Sequence, residues 1–206
     1  MPRDKKESHE RIILAARNEF LKMGFEKASI RRIASSAKLT SAALYRHFPS
    51  KHEMFSYLVE PGICALREWL ERHEKTSYEY IENDDVEMAC EESAVDLMND
   101  VIFHHREAFI LLLRSSQGTE YENFIGDIVT EQRDGMMRAI GFLKSRGYKV
   151  KDIPTNAMHI LMSAYLTALF EPIAHDLPKE EESEYLETIK DFFMPGWQRI
   201  MGLEET

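Results

Sequence analysis

Apolar residues in this chain recur at intervals of three and four almost from end to end, the spacing of side chains stacked along one face of an α-helix. From about Lys6 to Met23, the residues Ile13, Ala16, Phe20 and Met23 share a face with Ile12 beside them, and Gly24 follows as a helix-ending residue. Ser29 caps a short helix reaching about Ala37, and Thr40 or Ser41 caps another ending near Phe48. Pro49 breaks the chain, and Ser50 with Glu53 makes a capping box that opens a fourth helix. That helix is expected to reach about Lys75, interrupted at Glu60-Pro61-Gly62 because Pro61 lacks the amide an interior turn needs. Asn83-Asp84-Asp85 opens a fifth helix to about His105, and a sixth covers Arg106 to Ser116. A seventh runs from about Tyr121 to Arg146 and stops at Gly147; an eighth starts near Pro154, a good first helical residue, and reaches His175. The last covers Glu180 to Met201. No alternating strand pattern, repeat or low-complexity segment interrupts this series.

The prediction is an all-α protein of about nine helices. A three-helix N-terminal helix-turn-helix domain, residues 1–52, stands on a C-terminal helical bundle, residues 53–206, with the fourth helix as bridge. Charge divides the chain in the same place. Residues 1–52 carry 12 basic and 5 acidic side chains, net +7, whereas residues 53–206 carry 14 and 31, net −17. One end is thus suited to a polyanion that the other repels. No window approaches 18 uninterrupted apolar residues, so no membrane partner is expected. MPRDKKESHER has no apolar signal region, and Cys64 and Cys90 form no metal or CxxC spacing, so a cytoplasmic location and no metal or cofactor are expected. His104-His105 lacks a second matched ligand pair. There is no GxSxG, glycine-rich phosphate loop, HExxH or Cys–His signature, and the chain is not expected to be an enzyme.

A helix-turn-helix needs a small core that fixes the angle between two helices. Ile30, Ile33, Ala34 and Ala37 on one side, and Leu39, Leu44, Tyr45 and Phe48 on the other, supply it. The second helix then offers Ser41, Ala42, Ala43, Arg46 and His47 to a DNA groove, where small residues allow close approach to base edges. Tyr45 and Lys51 are placed to bond phosphates, and Arg31 or Arg32 adds a further DNA contact.

The stretch from residue 9 to about 58 resembles the TetR family of transcriptional repressors. The likeness is carried by Phe20-x-x-x-Gly24-Phe25, then IRRIASSA, then LTSAALYRHFPSKHEMF. It implies one DNA-reading head on an all-helical ligand-binding and dimerisation body. By resemblance, Ser29, Tyr45 and Lys51 touch phosphate, Arg31 reaches a base or the backbone, and Ser41, Ala42, Ala43, Arg46 and His47 face the groove. Lys38 departs from the pattern, which has a glycine in the turn; a left-handed turn costs a lysine about 1 kcal/mol or more.

The body carries more apolar surface than one chain readily hides. Ile160, Ala164, Ala168 and Leu169 on the eighth helix, and Tyr185, Ile189, Phe192, Phe193 and Trp197 on the last, are the expected homodimer interface. TetR-like proteins pair through these two helices, and PGWQRIMG resembles endings in that family. Trp69, Cys90, Met98, His105 and Phe109, with Phe124, Met137, Arg138, His159, Met162 and Tyr165, are candidates for a cavity wall. The expected function is a ligand-responsive regulator, a repressor that binds a palindromic double-stranded DNA operator as a homodimer and is released by a small apolar effector of unknown identity. The alternatives are a helical protein-interaction module or an enzyme with a helix-turn-helix-like head.

Overall fold

The computed structural model describes residues 2–86, 88, 94–175 and 177–202. Its helices are α1 (Pro2–Lys27), α2 (Ile30–Ser36), α3 (Ser41–Tyr45), α4 (Lys51–Glu82), α5 (Ala94–Leu97), α6 (Arg106–Ser115), α7 (Phe124–Ser145), α8 (Thr155–Ala174) and α9 (Lys179–Met201). Among the described residues there is no strand, so the all-α expectation holds. α5 runs directly into a π-helical turn at Met98–Ile102, where the Phe103 amide donates to the Met98 carbonyl at 2.9 Å.

Most starts and stops follow the capping chemistry. Thr40, not Ser41, caps α3, its hydroxyl accepting the Ala43 amide at 3.1 Å. Ser50 accepts the Glu53 amide at 3.0 Å at the head of α4. The helix breaks at Gly24 as expected, with φ 72° and ψ 161°, and a short second helical piece carries α1 on to Lys27. One expectation needs correction. α4 is not interrupted at Pro61 and extends past Lys75 to Glu82. Of the expected opening Asn83-Asp84-Asp85, it is Asp85 whose carboxylate accepts the Met88 amide at 3.4 Å. Asp84 instead takes a left-handed conformation (φ 61°), held by Arg146 at 3.0 Å and Tyr148 at 3.1 Å.

The chain forms two compact units. The first comprises residues 1–64 and 105–124, so α6 is sequestered with the head although it lies far along the sequence. Its centre is aromatic: Phe20, Phe25 and Phe55 meet with ring centroids 5.2–5.8 Å apart. α6 lies along α1, and Arg17 pairs with Glu107 between them. Gly62 is buried beneath α6; a Cβ there would stand 3.0 Å from that of Ala108 and 3.3 Å from that of His105. This glycine serves close packing.

The second unit comprises residues 65–104 and 125–206, and is built from the rest of α4 with α5, α7, α8 and α9. α9 packs on α8 and α5. Its end is stitched to the loop before α8, where the Lys151 amide donates to the Ile200 carbonyl at 3.1 Å. Gly202, at φ 78°, closes α9 so tightly that a Cβ would lie 2.4 Å from the Lys149 carbonyl oxygen. α8 is long and apolar enough by composition to cross a membrane, with mean hydropathy 1.3. Of its apolar residues, Met158, Met162, Leu166, Leu169 and Phe170 are buried in this unit.

Candidate nucleic-acid interface and body cavity

α2 and α3 are joined by a turn in which the Leu39 amide donates to the Ala34 carbonyl at 2.8 Å. Closing it requires Lys38 to adopt φ 58°, the left-handed strain expected from its sequence position. Ile33, Ala34, Ala37, Leu44 and Phe48 are buried beneath, fixing the angle between the helices. α3 is only five residues long and ends at Tyr45; Arg46 is its C-cap residue, and the His47 amide donates to the Leu44 carbonyl at 2.9 Å. Ala42, Tyr45 and Arg46 are exposed on the outer side, with Ser41 and Ala43 half-buried between them. Tyr45 is 48% exposed and so is not a core residue.

The basic groups divide into two sets. Arg31 and Arg46 are exposed. Arg32 is held: it donates to Glu19 at 2.7 Å and to the Lys27 carbonyl at 3.0 Å. The same Glu19 oxygen accepts the Ser29 amide at 2.9 Å, while the Ser29 hydroxyl accepts the Arg32 amide at 3.5 Å. Desolvation works to raise the Glu19 pKa, but the Arg32 and Ser29 hydrogen bonds outweigh it and hold the carboxyl below its ordinary value. Lys51 is also engaged. Its ammonium donates to the carbonyls of Phe25 at 2.7 Å, Glu26 at 3.1 Å and Ala28 at 3.4 Å, and lies 4.3 Å from the Phe25 ring centre. In this arrangement Lys51 caps the end of α1, although it was expected on a phosphate. His47 is half-buried 6.0 Å from His9, and burial, reinforced by His9, Lys5 and Arg46, pushes its pKa down.

Residues 12–58 match the family model for bacterial regulatory proteins of the tetR family. The head of this chain is thus similar to that of the tetR-family regulators. The fold of the whole chain agrees: it is similar to the crystal structure of NalD, the secondary repressor of the MexAB-OprM multidrug efflux pump in Pseudomonas aeruginosa. The TM-score is 0.59 at 17% identity, covering 96% of this chain and 97% of that one. A tetR-family transcriptional regulator from Streptomyces coelicolor aligns with a TM-score of 0.42 at 15% identity, covering 96% and 86%. No curated protein sequence matches. The matched residues are those of the helix-turn-helix head, and the likeness to solved structures extends to the fold of the whole chain.

The body holds a cavity of about 240 Å³. Of the predicted wall residues, Trp69, Arg138, Met162 and Tyr165 line it. Met98 is fully buried but is not among the lining residues, and Met137 and His159 are likewise absent from them. The His159 Nδ1 atom is nevertheless buried without a hydrogen-bond partner among the described residues. His105, Phe109 and Phe124 belong to the first unit, where Phe109 and Phe124 pack with centroids 6.1 Å apart. Cys90 lies outside the described residues. Two residues expected at a dimer interface, Leu169 and Trp197, are buried and line the cavity instead.

Other lining residues escaped the sequence reading, among them Leu66, Tyr78, Glu74 and Phe170. Leu66 and His73 stand three before and four after Trp69, so helical spacing from that one tryptophan would have found them. Tyr165 packs against Phe193 at 5.1 Å and Trp197 at 6.1 Å, and burial pushes its phenol up to about 12, which keeps the hydroxyl a hydrogen-bond donor. The outer sides of α8 and α9 remain apolar: Ile160 is 67% and Phe192 76% exposed, and Ala164 is exposed beside them. Ala168, Tyr185, Ile189 and Phe193 are half-buried, with the Tyr185 hydroxyl donating to the Ala168 carbonyl at 3.2 Å.

Proposed function

We propose that this protein is an effector-responsive repressor that binds a palindromic operator as a homodimer and is released by a small, mainly apolar molecule held in the body cavity. The observation that carries this reading is the combination, in one chain, of an exposed reading helix in a +7 segment with an aromatic-walled cavity. In this reading Ser41, Ala42 and Ala43 approach base edges, Arg46 reads a base, and Tyr45, Ser29 and Arg31 meet phosphates. Arg32 and Lys51 act behind them, holding the ends of α1 and α2. His47 lies at the margin as a largely neutral donor.

The homodimer is supported by the exposure of Ile160 and Phe192, which a second copy would cover with the same face of its own α8 and α9. Two heads are needed to read two half-sites. α4 supplies Trp69 and Glu74 to the cavity and Met54 and Phe55 to the core of the head, so it is the covalent route by which an effector can bias the DNA-competent population.

The test is operator binding by fluorescence anisotropy on the palindromes beside the gene, titrated with salt and with effectors found by thermal shift. A slope of log K against log salt of about −4 or steeper is expected, from several phosphate contacts at roughly −0.9 each. Arg46→Ala is expected to lose roughly 1–3 kcal/mol on the preferred site and less on random DNA. A flat salt response rejects groove docking. Body-stabilising molecules that leave operator affinity unchanged reject the effector role.

A further inference from the structure

We infer that the body cavity selects a small lipophilic organic cation, an alkylated or aryl ammonium ion, over neutral and anionic molecules of the same shape. The inference rests on the reading of the body as an effector site and assigns the effector a charge.

Size comes first. An apolar cavity of about 150 Å³ takes benzene. At about 240 Å³ this one has room for a ring with a branched substituent. Its lining includes Trp69, Tyr78, Tyr165, Phe170 and Trp197, with Trp69 stacked on His73 at 4.8 Å, and an aromatic face carries the negative part of the ring quadrupole. Charge then separates the candidates. Glu71, Glu74 and Glu131 all border the cavity, and among its lining residues Arg138 is the one Arg or Lys, with His73 beside them. Arg138 is already paired with Glu74 at 2.7 Å. The pair is neutral, so Glu71 and Glu131 leave the lining with an excess of two negative charges. Both are exposed, so they remain hydrated while the cavity is empty and carry no large desolvation cost.

An anion entering here would meet the same sign from the lining and from a body segment of net charge −17. A neutral molecule would gain burial alone. A strongly hydrated primary ammonium would lose its water against an aromatic wall, whereas an alkylated nitrogen spreads its charge over apolar groups that suit it. Aromatic faces with carboxylates at the margin match that last chemistry.

The experiment uses the intact purified protein. Trp69 and Trp197 are its two tryptophans and both line the cavity, so their fluorescence reports occupancy directly. Phenyltrimethylammonium, its carbon isostere tert-butylbenzene and the anion 4-tert-butylbenzoate are titrated in parallel. The cation is expected to bind about five- to thirtyfold more tightly than its isostere, the range set by a desolvated cation–π contact. The benzoate is expected to be weakest. In the double variant Glu71→Gln, Glu131→Gln the cation should lose part of this advantage, the aromatic share remaining, while tert-butylbenzene binds as before.

Equal or tighter binding of the isostere overturns the inference, as does an undiminished cation preference in the double variant. Binding of none of the three at millimolar concentration also overturns it. The wild-type comparison stands by itself if the double variant is poorly folded. Operator affinity separates this inference from the reading beneath it. If the cation binds selectively but operator affinity is unchanged, the site stands and the regulatory reading fails. If tert-butylbenzene alone releases the operator, the regulatory reading stands and the cation is rejected.

Discussion

Lys51→Met separates two roles that a basic residue at the start of α4 can play. The wild-type ammonium reaches three carbonyls at 2.7, 3.1 and 3.4 Å and lies over the Phe25 ring. Methionine keeps the apolar stem but removes every donor. Hydrogen bonds to a charged group contribute about 1.5–3 kcal/mol, and a partly exposed cation–π contact about 0.5–1 kcal/mol. Two corrections reduce that sum. The Glu26 carbonyl is exposed and can turn to water, and burial already pushes the Lys51 pKa down, so the ammonium carries a desolvation cost that methionine lacks. A net loss of about 1–2 kcal/mol remains, which lowers Tm by roughly 2–8 °C in a chain of this size. DNA binding should weaken on all sequences through a loosened head, with the salt slope nearly unchanged. A phosphate contact behaves in the opposite way: Tm holds, and the slope becomes shallower by about 1.8 per dimer. Calorimetry of the free protein and a salt titration of operator binding decide it. An unchanged Tm with a shallower slope would refute the capping role.

Three further outcomes follow from local geometry. Lys38→Gly should stabilise the head by about 0.5–1 kcal/mol, because relief of a left-handed cost of roughly 1–2 kcal/mol exceeds the entropy glycine gains on unfolding; an unchanged or lower melting midpoint counts against the strain. Gly202→Ala should cost about 2–4 kcal/mol and expose the Lys151 amide to fast hydrogen exchange, since the new methyl would press on the Lys149 carbonyl; retained protection of that amide contradicts the close approach. Burial lowers the folded-state pKa of His47, so its contribution to stability is complete above the unfolded value of about 6.5 and is lost as pH falls from there through the folded value. His47→Gln should therefore flatten the acid limb of DNA-free stability below about pH 6.5, and an identical limb in both proteins rules His47 out as its source.

Much of the architecture could be read before any coordinates, because helix caps and breaks are local events. Thr40, Ser50 and Asp85 each act within three residues of themselves, and the sequence carries both partners. What the pattern withheld is which partner a buried face meets. Phe109 and Phe124 were rightly assigned to an inward face, but periodicity along α6 does not say that α6 joins the head instead of the cavity. Leu169 and Trp197 failed in the same way. An apolar stripe looks alike whether a second copy or a cavity covers it, and these two residues turn inward. Lys51 and Arg32 are a different case. Basic side chains in a DNA-reading motif read as phosphate ligands until the acceptors of the folded chain are known, and here Phe25, Ala28, Glu19 and Lys27 supply them. Pro61 misled because a proline removes only one amide, and a helix of 32 residues absorbs that loss.

α8 and α9 each turn one side to the cavity and the other to solvent: Met162 and Trp197 line the cavity, while Ile160 and Phe192 face out. In the proposed homodimer, occupancy and self-association draw on the same two helices, and any coupling between them is reciprocal. An effector that tightens pairing then binds more tightly at high protein concentration, and one that loosens pairing binds more weakly. On that reading a dissociation constant belongs to a dilution series, and values for monomer and dimer differ by the square root of the ratio of the dimerisation constants with and without ligand.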